Sequence, residues 1–158
     1  MIEVLLAAAL MVIIMTACLH ISKISISWWQ KGRDRIDAQQ NARVAMMFLT
    51  GEIQAAREVV SGSNAEVLII ATLLGKQYRF ELKDGNLRRA VKNPGSLTFE
   101  GYNLLAYGVK KLEFAYDRPA LPQASRVVTI HLVCCDPEGR EFPLTTAVAL
   151  RLKLLNEE

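Results

Sequence analysis

The feature that most constrains this chain is a run without formal charge near its start. Residues 4–22 read VLLAAALMVIIMTACLHIS, nineteen positions with no Asp, Glu, Lys or Arg. At about 1.5 Å per residue, a helix of that length comes close to crossing the roughly 30 Å hydrocarbon core of a bilayer. It is apolar on every side, unlike the one-sided stripe of a helix on a soluble domain. A purely cytosolic protein is therefore not expected. The chain has 158 residues, enough for one domain beside an anchor. With 51% hydrophobic and 22% charged residues it is too apolar for an intrinsically disordered chain.

The flanks of the run are informative. Before it stands Glu3, with no basic residue, whereas a secretory signal opens with a positive segment. A carboxylate at the edge of a membrane helix needs the wet interface, where the helix dipole also favours it, or a positive partner from a neighbouring chain. After the run, residues 23–43 carry five basic side chains (Lys23, Lys31, Arg33, Arg35, Arg43) against Asp34 and Asp37. This suits a juxtamembrane stretch beside anionic headgroups. Trp28 and Trp29 fit an interfacial belt. A broad basic face threaded with aromatics is lacking, so nucleic acid is not indicated as a partner.

Helical periodicity continues past the run. Ala45, Leu49, Ile53, Ala56 and Val60 recur every three or four residues, widened by Phe48 and Val59, among polar positions such as Gln40, Glu52 and Arg57. One helix from Ile2 to Val60 is expected, with a bend near Gly32, ended by Ser61-Gly62-Ser63-Asn64. The period then changes to two. Strands are predicted over residues 67–73, around Tyr78, Phe80 and Leu82, and over residues 87–91. Leu97 and Phe99 predict a short strand. Others are predicted around Leu112, Phe114 and Tyr116, around Val128, Ile130 and Leu132, and over residues 148–154, leaving a polar tail. Asp84-Gly85 and Asp136-Pro137-Glu138-Gly139 read as turns. The expected fold class is α+β, with three parts. Residues 1–26 form a membrane-spanning helix, residues 27–60 its amphipathic continuation, and residues 61–158 an antiparallel β domain whose apolar face the rear of the helix covers through Ala45, Phe48, Leu49, Ile53, Ala56 and Val60.

Ile2-Glu3-Val4-Leu5-Leu6-Ala7 and the apolar run after it resemble the start of type IV prepilins and pseudopilins. Gln40-Asn41-Ala42-Arg43 through Glu52-Ile53-Gln54-Ala55-Ala56, and Val109 through Asp117, are similar to segments of the PilW-like minor pilins and J-type pseudopilins. The resemblance implies a structural subunit. It would be held in the cytoplasmic membrane by one span, with the β domain extracytoplasmic, and would then join or prime a pilus or pseudopilus at the cell envelope. Its partners would be other pilin or pseudopilin subunits, contacted through a filament core that includes Val4, Leu5, Leu6, Leu10, Val12, Ile13 and Ile14. Glu3 matches the family's signature acid, which pairs with the N-terminal amine of a neighbouring subunit. A prepilin peptidase would cut a basic leader and methylate the new amine. That leader, ending in Gly and followed by Phe-Thr, is expected in frame upstream of Met1. The basic residues after the span would by themselves keep the following domain in the cytoplasm, and a basic leader would oppose that. Pilus, type II secretion and competence systems all suit these residues.

Other readings compete. Met15-Thr16-Ala17-Cys18 loosely resembles a lipobox, which implies an extracytoplasmic β-domain lipoprotein lipidated at Cys18. The apolar residues after Cys18 differ from the polar tether usual there. A singly anchored signalling or adhesion protein shares the same topology. An enzyme is not expected. His131 and Cys134 lie three apart on one predicted strand and so face opposite sides. No phosphate loop, paired-carboxylate motif or metal-ligand spacing appears, so neither metal nor cofactor is expected. Cys134 and Cys135 are adjacent on that strand and read as small hydrophobes.

Overall fold

A computed structural model describes residues 1–150. The expected continuation of the last strand through Leu152 and Leu154, and the polar tail Asn156-Glu157-Glu158, lie outside the described residues. The chain divides into two units, Met1–Ile36 and the residues from Asp37 onward. One helix, α1 (Ile2–Ala55), supplies all of the first unit's regular structure and the opening element of the second. It continues through Gly32 without interruption.

In the second unit α1 buries Ala38, Ala42, Ala45, Met46, Leu49 and Ile53. Steps of three and four place these on one face. Three are alanines, whose short side chains let strands come close to the helix axis. The helix ends five residues before the expected Val60. The Ala56 amide bonds to the Ile53 carbonyl at 3.2 Å and the Arg57 amide to the Ala71 carbonyl at 2.8 Å, so the chain leaves the helix for a sheet edge. Glu58–Val59 form strand β1 and pair with Ala71 and Ile70. The β-branched Val59 gains a ladder partner there that a further helical turn would not supply.

β1 opens a five-stranded antiparallel sheet with β2 (Val67–Ala71), β3 (Gln77–Lys83), β4 (Asn86–Lys92) and β5 (Glu100–Ala106), each beside the next in sequence. β6 (Val109–Tyr116), β7 (Val127–Cys135) and β8 (Glu141–Ala149) form a second, three-stranded antiparallel sheet. The expected antiparallel β domain is thus built of two sheets. They meet where the Val109 amide bonds to the Gly85 carbonyl and the Phe114 amide to the Ala65 carbonyl. The β3–β4 turn has φ of 54° at Asp84 and 70° at Gly85. Two left-handed residues are what a type I′ turn needs, and Asp-Gly adopts them at low cost.

The core lies between the rear of α1 and both sheets. Leu49 and Ile53 are fully buried, as are Leu68, Ile70, Phe80 and Leu87 of the first sheet and Val128, Ile130 and Leu132 of the second. Burying each large apolar side chain contributes about 1.5–3 kcal/mol. One polar contact reinforces the seam. The Arg89 side chain lies between the rings of Phe48 (5.1 Å) and Tyr78 (5.2 Å) and donates to Glu52 at 3.1 Å. This combines two cation–π contacts with an ion pair tying β4 to α1.

Several strands fall differently from expectation. β2 stops at Ala71, and Leu73 lies in the following turn. Leu97 and Phe99 lie in a loop, and the strand there is β5. β5 slips register twice against β4 and has Gly101 at φ 65°, so period two is lost along it. The last strand begins at Glu141, seven residues before the expected Val148.

Candidate membrane and assembly surface

The first unit presents apolar side chains in every direction. Val4, Leu5, Leu6, Leu10, Val12, Ile13 and Ile14 are between 54% and 72% exposed. α1 is the one helix among the described residues long and apolar enough to cross a membrane. Its polar groups suit that medium. The Thr16 hydroxyl donates to the Val12 carbonyl at 2.7 Å and the Ser22 hydroxyl to the Cys18 carbonyl at 2.9 Å. Both are bonds to the preceding turn, so neither hydroxyl has to carry an unmet donor into lipid.

Glu3 sits in the first turn of α1 and is exposed. The helix N-terminus there favours a carboxylate through its aligned peptide dipoles. Past the span, Trp28 and Trp29 are exposed, and the Arg33 guanidinium lies 5.7 Å from the Trp29 ring centre. An amphipathic indole beside a cation is the pairing found at headgroup level. Cys18 is an exposed free thiol.

The helix–sheet residues named from periodicity divide three ways. Ala45, Leu49, Ile53 and Ala56 are buried in the core, and Phe48 packs partly buried against it. Val60 is half-buried and outside α1, and Val59 takes the core position instead. Periodicity missed Ala38, Ala42 and Met46. The spacing of Ala38, Ala42 and Ala45 extends the same stripe backward, but the small side chains hide the signal.

His131 and Cys134 face opposite sides of β7. Cys134 is in the core, and burial pushes its thiol up to about 11. His131 lies on the outer face, its Nδ1 3.1 Å from the Thr145 hydroxyl. Cys134 and Cys135 are both free thiols. Among the described residues no cluster of three or more His, Cys, Asp and Glu side chains is placed to hold a metal ion.

Ionic and polar contacts organise the β domain's surface. Lys110 pairs with Glu141, which raises the lysine's pKa, and Lys111 pairs with Glu113 at 2.8 Å. The loop of residues 117–126 is closed by the Asp117 carboxylate, which accepts from the Arg126 amide at 3.1 Å. Burial pushes Asp117 up, but hydrogen bonds from Ser125, Val127 and Arg126 outweigh it and hold the carboxyl below its ordinary value. Tyr116 donates to the Asn64 carbonyl at 2.9 Å, and burial pushes its phenol up to about 12.

No protein-family model and no curated protein matches this chain. What its own residues establish is an architecture. A helix apolar enough to span a membrane at its N-terminal end packs, through its second part, on antiparallel β-sheet.

Proposed function

We propose that this chain is a type IV pilin-like subunit, a minor pilin or pseudopilin, and that its task is structural rather than enzymatic. The observation that carries the reading is α1 itself. One unbroken helix has an apolar front with a carboxylate in its first turn, and a rear buried under a β domain. Few tasks use both ends of such a helix. A simple anchor needs the span but has no use for an acid at its tip.

In this reading residues 4–22 hold the subunit in the cytoplasmic membrane, with the β domain extracytoplasmic. The same apolar surface then packs against neighbouring subunits when the chain is drawn into a filament. Leaving lipid for a bundle of like helices exchanges one apolar environment for another, so the transfer has a low barrier in solvation terms. Glu3 supplies direction. Inside such a bundle a lone carboxylate is costly, and pairing it with the amine of an adjacent chain relieves that cost. A prepilin peptidase acting upstream of Met1 would generate that amine.

Two measurements test the reading. Intact mass and peptide sequencing of the protein from its own host should give a mature chain extending two residues before Met1 and starting with N-methyl-phenylalanine. A chain starting at Met1, or at a lipidated Cys18, sinks it. Glu3→Ala should leave the β domain folded and the protein in the membrane while abolishing incorporation into filaments. Normal incorporation would remove the assigned role of Glu3.

A further inference from the structure

Two apolar loops that the core does not absorb come together at one end of the five-stranded sheet. The β2–β3 turn holds Leu73 and Leu74 at 63% and 81% exposure, and the β4–β5 loop holds Leu97 at 92%. The loops are neighbours, since a Cβ on Gly75 would lie 3.5 Å from the Pro94 ring. Tight turns ordinarily carry polar residues, because their side chains face water. Three leucines on adjoining turns therefore form an apolar knob that its own chain leaves uncovered.

Both loops bond to themselves. The Thr72 amide and hydroxyl donate to the Lys76 carbonyl at 2.8 and 3.2 Å, and the Gly75 amide to the Thr72 carbonyl at 3.1 Å. The Ser96 amide donates to the Asn93 carbonyl at 3.0 Å and its hydroxyl to the Thr98 carbonyl at 3.1 Å. Loops closed in this way carry fewer unmet polar groups into a medium without water. Their charge has one sign. Residues 72–76 and 92–99 contain Lys76 and Lys92 and no acid. The Lys92 ammonium lies 5.9 Å from the Phe99 ring centre, so its stem follows apolar surface. The acids of the adjoining strands, Glu58 and Glu100, pair with Ala71 and Val91 and so stand further from the tip than Lys76. Leucines in front with ammonium groups behind them suit a segment that enters hydrocarbon while its cations stay among phosphates.

The knob sits where α1 ends, since the Arg57 amide donates to the Ala71 carbonyl at 2.8 Å just before the turn. From Asp37 to Ala55 the helix rises about 27 Å. Within the second unit the knob thus lies at the end remote from Asp37, where the unit joins the apolar front. We infer that the Leu73–Leu74–Leu97 knob inserts into an anionic lipid surface, one other than the bilayer that residues 4–22 span. Apolar burial and attraction to acidic headgroups then act together, as they do for interfacial membrane segments. The contact needs only that residues 4–22 hold the chain in one bilayer, and not that the chain joins a filament.

The test holds the full chain in phosphatidylcholine nanodiscs and adds separate vesicles of phosphatidylcholine containing phosphatidylglycerol. The loaded nanodiscs should float with the vesicles, and empty nanodiscs should not. Leu73→Ser, Leu74→Ser and Leu97→Ser should each weaken vesicle binding about ten-fold, as loss of a buried leucine does. Lys76→Glu should weaken it about as much, and added salt should weaken it further. All four side chains lie on exposed turns, so near-ultraviolet circular dichroism should stay unchanged. No flotation, variants that bind like the unaltered chain, or equal binding to vesicles of phosphatidylcholine alone would each overturn the contact. Benzoylphenylalanine in place of Leu74 identifies the surface that the knob meets. Illumination should give adducts with deuterated vesicle lipid. Adducts with nanodisc lipid would place the knob on the chain's own bilayer, and adducts with protein would give it a protein partner, and either overturns the assignment.

Discussion

The front and rear of α1 are made of similar apolar residues and meet opposite surroundings. Ala7, Ala8, Ala9 and Leu10 are exposed, whereas Ala38, Ala42, Ala45 and Leu49 are buried. The difference lies in what accompanies them. The front has no charge for nineteen residues and no polar side to turn to water. The rear alternates its stripe with Gln40, Arg43 and Glu52, so one face can be wet while the other is covered. A contiguous apolar surface as large as the front's is not left in water by a soluble protein. The rear finds its cover in its own chain. The front must find it in lipid or in other chains.

The sharpest way to break this comparison is to truncate a leucine in each region. Leu49→Ala removes a fully buried side chain from the core and should cost about 2–5 kcal/mol of β-domain stability. Leu10→Ala should leave that stability within about 0.5 kcal/mol, because Leu10 is exposed. Urea unfolding of the full chain in detergent, followed by near-ultraviolet circular dichroism, reads both. Equal effects would mean that the two regions do not differ as described.

Enlarging an alanine sharpens the contrast further. Ala45 is 1% exposed within the core, so Ala45→Leu forces extra carbons among packed side chains and should destabilise by about 1–3 kcal/mol. Ala8→Leu adds the same carbons where nothing opposes them and should leave the unfolding midpoint unchanged. Next in size is the contact between α1 and β4. Glu52→Ala leaves the Arg89 guanidinium between Phe48 and Tyr78 without its carboxylate and should cost about 1–2 kcal/mol. A companion Arg89→Met variant should recover part of that loss, since a half-buried cation without its partner is worse than an apolar side chain packed between the same rings.

Much of this fold is legible in the sequence where a period is sustained. The front of α1 is recognisable from nineteen uncharged positions. Tyr78, Phe80 and Leu82 identify β3 by strict alternation. The failures have physical causes. Val59 and Val60 fit a helical stripe and a strand equally, and the choice fell to the Ala71 and Ile69 carbonyls, which accept from Arg57 and Val60 at 2.8 Å. β5 is hidden because two register slips and Gly101 destroy its alternation. The division into two sheets depends on which strands pair across the chain, which alternation cannot reveal. Leu73, Leu74 and Leu97 look like core residues because hydropathy does not say which apolar side chains a turn will leave outside. At the candidate surface, Glu3 and the apolar run are readable directly, whereas the packing role of Ala38 and Ala42 emerges only with the strands in place.

The last expected effect, visible only at alkaline pH, is a pH dependence confined to the second unit. Burial raises the Tyr116 phenol from its ordinary 10.0 to about 12 and the Cys134 thiol from 9.0 to about 11. Both groups are neutral when protonated, so the fold favours their protonated forms. A group whose pKa is raised by folding contributes its full stability below the unfolded value and loses it as pH rises through the folded one. Unfolding midpoints should therefore be insensitive to Cys134 below pH 9, fall between pH 9 and about 11 as it titrates, and fall again between pH 10 and about 12 through Tyr116. Tyr116→Phe should remove the second decline at the expense of the bond to the Asn64 carbonyl, and Cys134→Ala the first. Met1–Ile36 contains no tyrosine, and Cys18 there is exposed. Helical signal from isotopically labelled front residues in micelles should accordingly persist across the range in which the β domain melts. Melting of both together would mean that the front depends on the rear for its helix, whereas backbone bonding within an apolar medium should be enough to hold it.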